Sequence, residues 1–233
     1  QELFANGPHV AAAAFEIGGP NLDIERSVGI DVSITKQAGP ITGRVGGFYN
    51  RFDDYITLVA TGAVTEPGPP EEGGEEEEPL PIFEYRNLAA SFIGFEAELL
   101  AHAFESDPHH VDVRLRADYV RAEDRDRDQP LPRISPLRFG GSIVYRGAAL
   151  DSHFDVLRVQ SQHRVAGNEL PTDGYTMVDL GVSYPITVGP TTLEGFLKGT
   201  NLLDEEARNS VSFLKDIAPL PGRGVVGGVR VVF

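Results

Sequence analysis

Six histidines and a surplus of carboxylates are the residues of this chain with the widest chemical reach. Zinc takes imidazole nitrogen and carboxylate oxygen together, and the candidate metal ligands are His9 and His163, with Glu16 and Asp23 supplying oxygen. No two histidines stand four residues apart, so spacing alone builds no dedicated site. His109 and His110 fall in the turn ESDPHH, where aspartate and proline already account for the local structure. Residues 62–81 form an acidic segment with seven glutamates between Glu66 and Glu78. Its proline, like charge and low hydrophobicity read as a disordered loop, either one that gathers cations or a plain solvated variable loop. Ser152, His153 and Asp155 contain the residue types of a hydrolase triad. In a strand, however, His153 and Asp155 share one face and Ser152 takes the other. No catalytic residue is expected, nor a resident cofactor.

The elements that must hold these groups are constrained by composition. A formal charge of −15 opposes binding to nucleic acid, which calls for clustered lysine and arginine. With no cysteine there is no thiolate metal site and no disulfide framework. No stretch approaches the roughly 18 apolar residues of a spanning helix, which leaves a β-barrel as the only route across a membrane. The opening QELFANGPHVAAAAFEIG lacks a signal peptide's charged start and cleavage site. Either the protein stays in the cytoplasm, or this chain begins within a longer one.

Period-two alternation dominates the chain from Glu25 onward. In Glu25 to Thr35, Val28, Ile30, Val32 and Ile34 oppose Ser27, Gly29, Asp31 and Ser33. In Val111 to Arg121, Val113, Leu115, Ala117 and Tyr119 oppose Asp112, Arg114, Arg116 and Asp118. Leu137 to Arg146 and Met177 to Tyr184 alternate likewise. Ile41 to Leu58, Phe83 to Phe104, Leu150 to His163, Thr192 to Asn201 and Gly224 to Phe233 complete about nine strands. Several match the ~9 to 11 residues that cross a bilayer at a tilt rather than the ~5 to 6 of a soluble sheet.

The connections alternate as well. Gln37 to Pro40, Glu105 to His109, Gly147 and Ala148, and Val188 to Thr191 are short turns. Between them lie the long loops Gly62 to Pro81, Glu123 to Ile134, Arg164 to Gly174 and Leu202 to Arg223. The fold expected is an all-β, antiparallel up-and-down meander, part of a transmembrane barrel with turns at one rim and loops at the other. His9 and His163 then fall on the loop side, His102, His109 and His110 on the turn side, and His153 low on its strand. Tyr49, Tyr145, Tyr184 and Phe233 are candidate girdle residues at the membrane interfaces. The inward charges Glu96, Glu98, Asp112, Arg114, Arg116, Asp118 and Asp179 would line the lumen.

GYTMVDLGVSY (174–184), FLKGTNLLDEEAR (196–208), SFLKDIAPLPGRGVVGGVRVVF (212–233) and RFDDYI (51–56) together resemble the C-terminal part of the TonB-dependent outer-membrane receptors. The opening ELFANGPHVAAAAFEIGGPNLDIERS (2–27) looks most like the zinc-uptake branch. The resemblance implies a Gram-negative outer-membrane receptor whose partners are outer-membrane lipid, the TonB energy-coupling system acting through a plug, and a metal ion or metal chelate. It implies that residues 1–233 are the last part of a 22-stranded wall, with the plug and about thirteen strands absent. Residues 62–81 would be an extracellular loop, and Phe233 would close the final strand at the periplasmic interface. Import of a scarce nutrient, a zinc-type ion in the first instance, is the activity implied. The alternatives are a siderophore or other metal-chelate receptor, which predicts aromatic and arginine residues around the outer cavity, and a small autonomous β-barrel or sheet that binds a ligand.

Overall fold

A computed structural model of the chain describes residues 3–9, 13–66, 79–167, 169–189 and 191–232. Phe233 and residues 67–78 of the acidic segment lie outside the described residues. Twelve strands and no helix are formed among those described. Nine correspond to the alternating segments: β3 (Ser27–Lys36), β4 (Ile41–Val64), β5 (Pro81–Ser106), β6 (His109–Asp124), β8 (Arg138–Arg146), β9 (Asp151–Val159), β10 (Tyr175–Val188), β11 (Thr191–Thr200) and β12 (Gly224–Val232). Each of the nine pairs antiparallel with its neighbours among them in an all-β meander. Three strands are too short for alternation to reveal: β1 (Asn6–His9), β2 (Ala14–Ile17) and β7 (Gln129–Pro130). The strand expected to run on to His163 stops at Val159, because Gln162 leaves the ladder to bridge Thr172.

Residues opposed across a ladder share a face, and register therefore fixes the two surfaces of the wall. Val113 opposes Ile143, Ile143 opposes Phe154, and Phe154 opposes Leu180. The last three are 49%, 41% and 43% exposed. Val28, Ile30, Val32 and Ile34 join this face through Gly47 and Phe95. So broad an apolar surface is a liability in water and is matched to hydrocarbon. Tyr145 stands on it beside the short turns, stacked on His109 with a 2.7 Å contact between its hydroxyl and Nδ1.

The opposite face carries the charges. Arg114 and Glu98 lie 3.5 Å apart, Arg138 and Asp118 2.9 Å, Arg146 and Asp112 2.9 Å, and Arg230 and Glu194 3.0 Å. Glu96, Arg116 and Asp179 are in register with them. Asp155 and His153 also face this way, and Ser152 points to the other side, so the triad does not assemble. The His153 imidazole lies over Gly181, where a Cβ would collide with it.

β4 and β5 are 24 and 26 residues long, roughly 80 Å at the rise of a strand and far more than a bilayer requires. The distal half of β4 stands beyond the end of β3, and the distal third of β5 beyond the end of β6. Where β6 ends, opposite Ala90, the edge of β5 is left unpaired, and β2 takes it up in parallel by matching Phe15–Ile17 to Ile82–Glu84. β1 then pairs with β2. The opening segment is thus a hairpin that covers an edge.

Candidate functional site

At the long-loop end the charged face turns apolar, and the loops fold over it. Phe52, Tyr55 and Phe92 form a mutual edge-to-face group with centroids 5.2 to 5.4 Å apart. They pack on buried Leu88, Ala90, Ala122 and Leu131 together with Ile134, so residues 125–137 are drawn inward. A second cluster joins Val159 and Tyr175 to Ala207 and Leu220, which draws residues 201–223 over the same face. Burial, and then the nearby Glu25 carboxylate, push the Tyr55 hydroxyl up, so it is a proton donor at neutral pH.

The three loops meet at Glu169. Its carboxylate, only 11% exposed, accepts the backbone N–H of Arg133 at 3.0 and 3.1 Å and lies 3.5 Å from Nζ of the buried Lys215. Arg133 has φ 57°, a left-handed conformation that costs a non-glycine residue about 1 to 2 kcal/mol and therefore needs such a partner. Its guanidinium sits 4.1 Å over the Phe213 ring. No hydrogen bond or ion pair of that guanidinium occurs among the described residues, and its charge acts on Tyr55. A cleft of about 200 Å³ opens between Leu58, Phe83, Arg133, Glu169, Phe213 and Lys215. Its chemistry is a planar cation, unpaired among the described residues and flanked by aromatic and aliphatic walls, which suits a flat anion.

The four residues picked out for metal ligation separate into a pair and two outliers. His9 on β1 and Glu16 on β2 face each other across the hairpin, with Nδ1 2.9 Å from Oε1 but misaligned, so that the buried Nδ1 has no hydrogen bond. Glu16 is 4% exposed, its other oxygen lies 3.5 Å from the Tyr85 hydroxyl, and His9 meets Phe213 edge-on at 6.0 Å. His163 is exposed in the loop after β9. Asp23 is exposed and is tied to Asn87 through its backbone. Neither touches the pair, and no three His, Asp or Glu side chains converge among the described residues. Arg133, Glu169, Phe213 and Lys215 carry no periodic signal in the sequence. Phe52 and Tyr55 lie within RFDDYI.

A further tie is pH-dependent. Glu123, at the distal end of β6, accepts from Arg121 and from Arg164 Nη2 at 2.6 Å, which fastens residues 160–174 to the wall. The hydrogen bond from Arg121 leads the causes that hold its carboxyl below the usual range, with the charges of Arg121 and Arg164 adding to it. A lowered carboxyl stabilises the fold at neutral pH, and that contribution is lost as pH falls through the lowered value. Protease cleavage within residues 160–174 is expected to rise only below the ordinary carboxylate range, and Glu123→Gln is expected to remove this onset.

Similarity to known proteins decides the family. Residues 1–202 match the family model described as TonB dependent receptor-like, beta-barrel. The chain belongs to the TonB-dependent receptors. Solved receptor structures share its fold. The copper transporter OprC superposes with a TM-score of 0.69 at 16% identity, over 91% of this chain and 31% of that one. The siderophore receptor PirA from Acinetobacter baumannii gives 0.62 at 18%, over 94% and 33%. The FrpB iron transporter from Neisseria meningitidis gives 0.62 at 12%, over 93% and 32%. This receptor chain thus spans about a third of their length, and at these identities the likeness concerns the fold.

Proposed function

We propose that residues 1–233 form the C-terminal part of the wall of a Gram-negative outer-membrane receptor that takes up a scarce metal as an anionic chelate. Energy would come from the TonB system through a plug, and the acidic segment between β4 and β5 would be an outward loop. The observation that carries the cargo is Arg133, a cation without a carboxylate partner among the described residues, stacked on Phe213 at the loop end. Such a group holds a flat anion by charge and by ring contact together. The similar structures, a copper transporter, an iron transporter and a siderophore receptor, agree with a metal cargo. In the full-length receptor, Arg133→Ala is expected to weaken binding of a ferric catecholate or a cupric chelate about tenfold or more, the scale of a lost charged hydrogen bond. Unchanged affinity for both would refute the chelate.

A bare ion such as zinc is the second reading, favoured by the contact between His9 and Glu16. His163 and Asp23 stand apart from this pair and are the separate candidates for a donor role. Zinc titration calorimetry of the receptor carrying His9→Ala with Glu16→Gln, and separately His163→Ala with Asp23→Asn, tests it. Loss of affinity in the first variant supports the ion, and no change in either removes it.

A further inference from the structure

We infer that Glu169 is the positioning residue of the cleft, setting Arg133 and Phe213 in place at once without itself touching the cargo. The inference rests on the chelate reading for its binding consequence, although its structural part stands alone. One carboxylate reaches two loops. Toward residues 125–137 it receives the Arg133 N–H on both oxygens. Toward residues 201–223 it meets the Lys215 ammonium, two positions from Phe213. Its own loop is turned to present it: the Glu169 N–H donates to Ala166 O at 2.9 Å, and the Ala166 N–H returns to the carboxylate at 3.4 Å.

Each partner depends on Glu169 for a specific reason. Arg133 holds a left-handed backbone, which persists when its surroundings fix it. Lys215 is 4% exposed, and a buried ammonium needs a nearby anion. Its carbonyl is in turn gripped by Arg208 Nη1 at 2.6 Å, so the loop is held from both ends of this residue. Removing the carboxylate releases the Arg133 backbone and strands the Lys215 charge together, and the guanidinium and the Phe213 ring lose their shared geometry. The Arg133 side chain remains present, but no longer where the cleft needs it.

Hydrogen exchange of the full-length receptor reads the structural part without any cargo. Glu169→Ala is expected to speed exchange in 131–135 and 211–218 together while β8 to β10 stay protected. Glu169→Gln keeps an acceptor for the Arg133 N–H but no charge for Lys215, so only 211–218 should open. If neither segment changes in Glu169→Ala, or if one changes without the other, the inference fails. Binding of a ferric catecholate then reads the coupling: Glu169→Ala should cost about tenfold or more alone and little in an Arg133→Ala background, because the two act as one unit. Equal losses in both backgrounds would overturn positioning through Arg133. A wild-type receptor that ignores the ferric catecholate would count against the cargo alone, and the exchange data would still decide the role of Glu169.

Discussion

Ile143→Lys is expected to remove the folded receptor from the outer membrane, and Ser142→Lys on the adjacent position is expected to leave it there. Ile143 is 49% exposed on the apolar face, near the middle of the nine residues of β8. A lysine near the bilayer midplane on a lipid face costs about 2 to 4 kcal/mol. Ser142 points the other way, bonded to Asp155, where a new ammonium gains a carboxylate. Heat-modifiable migration and the urea midpoint of membrane-inserted receptor separate the two variants. Equal loss in both would mean that the apolar face does not meet lipid, and the membrane assignment would go with it.

Asn201→Ala is the second large effect. Asn201 is 1% exposed with φ 47°, and its amide donates to Glu205 O at 2.9 Å and Pro221 O at 3.2 Å while accepting from Glu205 N at 3.0 Å. Its own N–H donates to Asp179 at 2.9 Å, which anchors the loop to the wall. Alanine leaves three part-buried backbone groups without these partners and adds left-handed strain, together on the order of a few kcal/mol. The cost is local to residues 202–223, so proteolysis there should rise sharply with the sheet intact, and chelate binding should fall as Phe213 and Lys215 shift. Asn201→Gly relieves the backbone strain but restores none of the bonds. It should remain nearly as sensitive, and wild-type resistance in the glycine variant would sink this account.

The wall was legible in the sequence because Val28, Ile30, Val32 and Ile34, or Val113 and Leu115 against Arg114 and Arg116, repeat at the period of a strand. Two unlike surfaces left a written trace at every second residue. The cleft left none. Arg133 and Glu169 belong to different loops, and what joins them is a left-handed backbone and a carboxylate, neither of which has a period. Phe52 and Tyr55 were visible as types within RFDDYI, but the bulge between Phe52 and Tyr55 decides where Tyr55 points. His9 and Glu16 could be named as ligand types. That they face each other came from a hairpin of four-residue strands, too short to detect.

The pairing of β2 with the far edge of β5 sets an expected order for the folding of this region. Each long ladder joins strands that are neighbours in the nine-strand meander, so each can zip as soon as its connection closes, whereas the short β2–β5 ladder joins strands far apart in sequence. Phe15–Ile17 must instead wait for Ile82–Glu84, after β3 and β4 have been laid down between them. The hairpin is therefore expected to close late, and the contact of His9 with Phe213 to form only once β3 and β4 are in place.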